Sequence, residues 1–101
     1  MTPTHIHLLG ICGTGMAALA GILKAQGHRV TGSDEHVYPP MSTFLEGLGI
    51  PIRNGYGPQN LEPAPDLVVV GNVIRRENPE AQAVLALDLP RLSLPEALNR
   101  Y

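Results

Sequence analysis

The segment His5-Ile-His-Leu-Leu-Gly10-Ile-Cys-Gly13-Thr-Gly15-Met16 decides how this 101-residue chain folds. An apolar strand runs into three glycines, and a helix-forming run over residues 17–26 follows at once. In a strand–glycine turn–helix unit, the first backbone N–H groups of the helix and the positive end of its dipole converge on one spot. That suits a phosphate or pyrophosphate. Two familiar loops share part of the spacing, and neither fits. Gly10-x-x-x-x-Gly15 is spaced like a Walker P-loop, but Met16-Ala17 stands where a lysine and a hydroxyl residue should grip phosphate and magnesium. In the dinucleotide fingerprint G-x-G-x-x-G, Cys12 takes the place of the second glycine, where the backbone must approach the pyrophosphate closely. The stretch reads as a nucleotide-binding turn of another kind, with a purely structural tight turn as the alternative.

Outward from this turn, apolar runs and amphipathic stretches alternate. Residues 5–9 read as a strand and 15–26 as a helix with Met16, Leu19, Ala20 and Leu23 on one stripe, closed by Gly27. A short second strand covers 29–32 and leads into Ser33-Asp34. Met41, Phe44, Leu45 and Leu48 mark the next helix, closed by Gly49, and 51–53 form a weak third strand. Asp66-Leu-Val-Val-Val-Gly71 is a β-branched run of the kind buried on both faces. Asn78-Pro79-Glu80 has an N-cap, a proline at the first helical position and an acid in the first turn. Residues 90–92 read as a fifth strand, and Ser93-x-x-Glu96 as a capping box that opens the last helix. The alternation predicts an α/β fold, a doubly wound five-stranded parallel sheet of order 3-2-1-4-5.

Composition sets outer limits. A chain of 101 residues with 44% hydrophobic content makes one domain, residues 1–101. No apolar run approaches the ~20 residues that span a bilayer, and no secretory pattern is evident, so no membrane partner is expected. Cys12 is the only cysteine, which agrees with a cytoplasmic setting and excludes a multi-cysteine metal site. A net charge of −2 and 4% aromatic content argue against nucleic acid as partner.

In a sheet of this order, ligands bind beyond the carboxyl ends of the strands, between strands one and four. The loops there carry Gly10 to Gly15, Ser33 to His36, Gly55 to Gly57 and Gly71 to Arg76. Asp34 lies about 20 residues past the last glycine, where an acid holds a ribose hydroxyl, although an aspartate at a strand end also caps local backbone. Cys12 reads either as a thiol activated by the helix N-terminus or as a small residue that fits the loop. His5 and His7 alternate on one strand face and, lacking a third ligand, read as structural. Tyr56 either packs on a base or covers an apolar edge, and Arg75-Arg76 is either a solvated loop or a contact to substrate.

Taken together, Gly10-Ile-Cys-Gly13-Thr-Gly15-Met16, Gly32-Ser33-Asp34, Gly71-Asn72 and Asn78-Pro79-Glu80 resemble the N-terminal domain of the Mur ligases. Val37-Tyr38-Pro39-Pro40-Met41-Ser42-Thr43 and Gly55-Tyr56 are similar to the branch that attaches a ready-made tripeptide to UDP-N-acetylmuramate. The L-alanine-adding branch usually has Gly-Gly where Cys12-Gly13 stands and serines after strand four. It remains the alternative. The resemblance implies a Rossmann-like domain that binds the UDP part of UDP-N-acetylmuramate. The whole enzyme would be an ATP-dependent carbon–nitrogen ligase of peptidoglycan recycling, working through an acyl phosphate. ATP and magnesium would belong to a central domain, and the peptide L-alanyl-γ-D-glutamyl-meso-diaminopimelate to a C-terminal one. Both would lie outside this chain, which would hold no cofactor, no metal and no catalytic residue of its own. The implied UDP site is Gly10, Cys12, Gly13, Thr14, Gly15 and Met16 around the diphosphate, with the amides of residues 13–16 as donors. Ser33, Asp34, His36, Tyr56 and Asn72 complete it.

Two other functions compete. Asp34 alone would suit an NAD-binding Rossmann domain, against which Cys12 counts. Tyr38-Pro39-Pro40 with the last helix would suit a non-enzymatic docking module, which leaves the glycine loop without a purpose.

Overall fold

A computed structural model describes residues 4–101 of the chain. The elements run β1 (His5–Leu9), α1 (Thr14–Ala25), β2 (Arg29–Asp34), α2 (Met41–Gly47), β3 (Ile52–Asn54), a 3₁₀ helix (Pro58–Leu61), β4 (Leu67–Val70), α3 (Pro79–Ala86), β5 (Arg91–Ser93) and α4 (Leu94–Arg100). All strand pairs are parallel, and their order is β3-β2-β1-β4-β5, as expected from the sequence. The order reverses between β1 and β4, so the crevice at their carboxyl ends is the topological switch point.

The two faces of the sheet differ because the central strands alternate. Ile6 and Leu8 of β1, Val30 of β2 and Val69 of β4 point to one face, where they meet Leu19, Ala20 and Leu23 of α1, Leu45 of α2 and Ala97 of α4. The fully buried Ile, Leu and Val side chains among them contribute roughly 1.5–3 kcal/mol each. Leu9 and Val68 point to the other face, under Leu61 of the 3₁₀ helix and Val84 of α3. That second core is smaller because His5, His7 and Ser33, all buried, share its face with Thr31. The sheet is thus apolar on one side and half polar on the other.

Several boundaries move by a residue, and one shift matters. The second strand does not stop at Gly32. Ser33 pairs with Leu9 and Arg53, and Asp34 pairs with Asn54, so both are strand residues. Their alternation is therefore fixed by the pleat, which sends the Ser33 side chain into the sheet face and leaves Asp34 at the strand end. The turn expected between the third and fourth strands contains the 3₁₀ helix, which packs on α3.

Helix ends follow local chemistry. After α1, Gly27 (φ 89°) donates to Lys24 and His28 donates to Leu23, a Schellman closure. Gly49 (φ 72°) closes α2 in the same way. After α3 the equivalent position is Asp88 (φ 49°), the one non-glycine residue with positive φ among the described residues. A side chain in that conformation is strained, and its ion pair with Arg91 at 3.6 Å is solvent-exposed. Asp88→Gly is therefore expected to stabilise the chain by about 0.5–1 kcal/mol. Urea unfolding of the two proteins tests this, and a destabilised variant would contradict it.

Candidate functional site

The glycine loop is held from below by β2. Gly10, at φ 82°, turns the chain off β1, and the amides of Gly10 and Ile11 both donate to the Ser33 carbonyl at 2.8 and 3.1 Å. Gly13 N–H donates to the Gly10 carbonyl at 3.1 Å, and Cys12 N–H donates to Asp34 Oδ2 at 2.9 Å. The first turn of α1 then begins at Thr14, and Ala17 N–H is the first to find a helical acceptor, the Gly13 carbonyl. The amides of Thr14, Gly15 and Met16 precede that bond, and no side chain caps them. By contrast, Asn78 caps α3 and Ser93 caps α4 with a complete capping box. The start of α1 is left open, and Gly13 to Gly15 are solvent-exposed.

Asp34 ties two loops together. It is nearly buried, and while Oδ2 accepts from Cys12, Oδ1 accepts from His36 N–H at 2.9 Å. This is the local capping role, and it leaves each oxygen with a further lone pair. Two adjoining recesses open on either side of this carboxylate. The larger, of about 750 Å³, lies between Asp34, His36 and Tyr56 on one wall and residues 73–75 and 77–79 on the other. The smaller, of about 270 Å³, lies between Gly10, Cys12 and Gly13 and the Tyr38-Pro39-Pro40-Met41 segment. Asp34, His36 and Val73 line both. Volumes of a few hundred Å³ are typical of small-molecule sites.

The expected site residues fall into three groups. Gly10, Cys12, Gly13, Asp34, His36 and Tyr56 line the recesses. Thr14, Gly15 and Met16 contribute the open helix start. Ser33 and Asn72 line neither recess. Ser33 is fully buried and its hydroxyl donates to Glu80 Oε2 at 2.6 Å, while Asn72 is exposed in the turn after β4. The amide of Gly13 is already engaged, so three of the four expected donors remain available. Gly15 has a packing reason of its own, since a Cβ there would stand 2.9 Å from Leu94 Cδ2 of α4. Arg75 lines the larger recess, and the Arg76 carbonyl accepts from Gln82.

Two titrating groups in the cleft are held neutral. Burial, followed by the nearby Asp34 charge, pushes the Cys12 thiol up, so it is not an activated nucleophile. Burial, then the Asp34, Glu35 and Glu80 charges, push the Tyr56 phenol up, so it stays a hydrogen-bond donor. Its hydroxyl lies close over Gly10. His36 stacks edge-on against Tyr38 with ring centres 6.1 Å apart. Among the described residues no group of three or more His, Cys, Asp and Glu side chains could hold a metal ion.

The residue that sequence reading undervalued is Glu80, read there only as a first-turn acid. It is fully buried. Oε2 accepts from His7 Nε2 at 2.8 Å and Ser33 Oγ at 2.6 Å, while Oε1 accepts from Asn60 Nδ2 and Gly57 N–H at 3.2 Å. Beyond it, Thr31 Oγ1 joins His7 Nδ1 at 2.7 Å to His5 Nε2 at 2.9 Å. The signal was present in the alternation of His5, His7, Thr31 and Ser33, because buried polar side chains on inner strands need a partner.

Architecture and loops together define a doubly wound α/β domain with an uncapped glycine turn at its switch point. The model described as "Mur ligase family, catalytic domain" matches residues 5–101, and the chain belongs to the Mur ligase family. It is 52% identical over 97 residues to the UDP-N-acetylmuramate–L-alanyl-gamma-D-glutamyl-meso-2,6-diaminoheptandioate ligase of Escherichia coli K12, covering 96% of this chain and 21% of that protein. It is 43% identical over 95 residues to the UDP-N-acetylmuramate–L-alanine ligase of Treponema pallidum (strain Nichols), covering 93% and 20%. The crystal structure of a murein peptide ligase from Psychrobacter arcticus superposes with TM-score 0.92 at 50% identity, covering 96% of this chain and 20% of the other. The chain therefore spans about a fifth of the length of these relatives.

Acid should loosen the polar face of the sheet. Burial, then the Arg29 charge and His7, hold His5 below its ordinary 6.5. Burial alone would raise Glu80, but the hydrogen bonds from His7, Ser33 and Asn60 outweigh it and hold the carboxyl below its ordinary 4.5. In both cases the unfolded chain takes up the proton at higher pH than the fold does, so stability rises with pH. The urea midpoint should fall as pH drops below 6.5, where unfolded His5 protonates, and again below 4.5, where unfolded Glu80 does. Glu80→Gln should shrink the second fall, to which Glu96, held below its ordinary 4.5 by the Ser93 hydrogen bonds, also contributes. A midpoint constant from pH 7 to pH 4, on the order of the window these groups define, would contradict this.

Proposed function

We propose that the cleft holds the UDP part of UDP-N-acetylmuramate, and that the chain is the substrate-gripping domain of an ATP-dependent ligase. The observation that carries this reading is the open start of α1. Three amides with neither a helical acceptor nor a cap follow the glycine turn at the switch point; α3 and α4 are capped by side chains, and α2, the other α-helix without such a cap, follows Pro40 and no glycine turn. The diphosphate would lie on the amides of Thr14, Gly15 and Met16, with Gly10, Cys12 and Gly13 shaping the turn. The nucleoside would occupy the larger recess, where Asp34 can accept from ribose hydroxyls or uracil N–H, and the Tyr56 hydroxyl and His36 can donate. Ser33 would act from beneath, and Asn72 from the exposed turn after β4.

The relatives' names support the substrate. Relatives named for UDP-N-acetylmuramate occur in both the tripeptide and the L-alanine ligases, and the greater identity to the former favours L-alanyl-γ-D-glutamyl-meso-diaminopimelate as the second substrate. Such an enzyme phosphorylates the muramoyl carboxylate with ATP and lets the peptide amine displace the phosphate. ATP and magnesium do not fit this chain: no lysine follows Gly15, and Met16 is buried in the core. Those groups belong to the rest of a protein about five times as long, judged from the share its relatives leave uncovered. Gripping a remote nucleotide positions the reacting carboxylate without any residue here touching it. The reading implies a cytoplasmic setting; no helix among the described residues is long and apolar enough to cross a membrane.

Titration of the chain with UDP, read by calorimetry and amide chemical shifts, tests this. UDP should bind saturably and shift the Thr14, Gly15 and Met16 amides, with no turnover of ATP and magnesium. Asp34→Ala should weaken UDP by about ten- to a hundredfold, the scale of one charged hydrogen bond. Unmoved amides at saturating UDP would overturn the reading.

A further inference from the structure

We propose that Glu80 is the positioning residue for the nucleoside side of the cleft, fixing Tyr56 through the two anchors of its loop. The proposal rests on the reading of the cleft as a UDP site and names a residue that never touches the ligand. Tyr56 stands between Gly55 and Gly57, and glycines on both sides leave the backbone free to wander unless something holds it. Three bonds do. Gly55 N–H donates to the Asp34 carbonyl at 2.8 Å, Asn60 Nδ2 donates to the Gly55 carbonyl at 2.9 Å, and Gly57 N–H donates to Glu80 Oε1. Asn60 Nδ2 also donates to Glu80 Oε1, so one carboxylate oxygen gathers both anchors beyond Tyr56.

The other oxygen is fixed to the floor of the sheet by His7 of β1 and Ser33 of β2. Glu80 itself is the second residue of α3, directly after the 72–78 loop that forms the facing wall of the larger recess. One buried carboxylate therefore joins floor, Tyr56 loop and opposite wall. The geometry of the nucleoside recess follows from it, and the diphosphate turn at α1 does not.

The two oxygens have partners of different kinds, which separates positioning from simple core satisfaction. The Oε1 partners, a backbone N–H and an amide already committed to Gly55, can only donate. The Oε2 partners can reverse: the Ser33 hydroxyl rotates, and His7 can move its proton from Nε2 to Nδ1 while the Thr31 hydroxyl turns toward His5. Glu80→Gln should accordingly turn its oxygen to the Tyr56 loop and its NH₂ to the floor. The loop would be kept and the tautomer of His7 would switch. Asn60→Ala does the opposite, removing one loop anchor and leaving the floor bonds intact.

The experiment compares wild type, Glu80→Ala, Glu80→Gln and Asn60→Ala for binding of UDP and of inorganic pyrophosphate, with amide hydrogen exchange at Gly57 and ¹⁵N shifts of His7 recorded without ligand. Asn60→Ala should weaken UDP by about tenfold or more, leave pyrophosphate within about twofold, and speed exchange at Gly57 while the β1 and β4 amides stay protected. Glu80→Ala, which loses both loop bonds, should weaken UDP as Asn60→Ala does, and Glu80→Gln, which keeps them, should restore UDP to within about threefold of wild type and show His7 protonated on Nδ1; a folded Glu80→Ala that binds UDP as wild type does would overturn the proposal. Equal UDP affinity in Asn60→Ala and wild type, or parallel loss of both ligands in a folded variant, would overturn the proposal. So would an unchanged Gly57 exchange rate. If wild type binds pyrophosphate and UDP equally or neither at all, the UDP reading itself falls, while the exchange and tautomer data still decide whether Glu80 holds the loop.

Discussion

The buried Glu80 carboxylate is the constraint on which the polar half of this molecule depends. Placing a carboxylate where no water reaches it costs several kcal/mol unless hydrogen bonds replace its hydration. Here four donors do so, from β1, β2, the Tyr56–Gly57 loop and the 3₁₀ helix. The dependence runs both ways. Without the carboxylate, His7, Ser33, Asn60 and Gly57 would be left as buried or half-buried donors facing one another. Breaking any one of the four bonds would leave a buried or half-buried donor without its partner.

The opposite face shows what a sheet of this kind does without such a device. There Ile6, Leu8, Val30 and Val69 pack on α1, α2 and α4 by shape and burial alone. A purely apolar second face would serve stability as well. The polar cluster instead ends at the carboxyl edge of the sheet, beside the cleft, where α1 is left uncapped. Side chains cap α3 and α4 but not α1 or α2, and of the two uncapped α-helices only α1 starts on the glycine turn at the switch point.

Most of the architecture was legible because it rests on local rules. The glycine turn, the Gly27 and Gly49 closures, the Asn78 cap and the Ser93–Glu96 capping box are all decided within a few residues, and the strand order followed from their alternation. The readings that changed depend on distant partners. Ser33 seemed a loop residue until its pairing with Leu9 and Arg53 placed it in the strand and aimed it at Glu80. Glu80 reads as a helix-start acid, and its partner His7 lies 73 residues away. Gly15 also faces Leu94 of α4, whose Cδ2 would have to shift to admit a Cβ, a packing contact that lies 79 residues away in sequence. A local signal reaches only a few residues and does not specify what the fold brings beside it.

In the proposed reading the cleft receives a nucleoside diphosphate, with its two walls held in register before the ligand arrives. A crystal structure of the chain with UDP tests it most directly. The account predicts phosphate oxygens about 2.7–3.2 Å from the amides of Thr14, Gly15 and Met16, and the uridine between Tyr56 and the 73–79 loop. It also predicts the Glu80 bonds unchanged from the free chain. UDP bound away from the start of α1, or a Tyr56 loop that leaves Glu80 to admit it, would contradict the account.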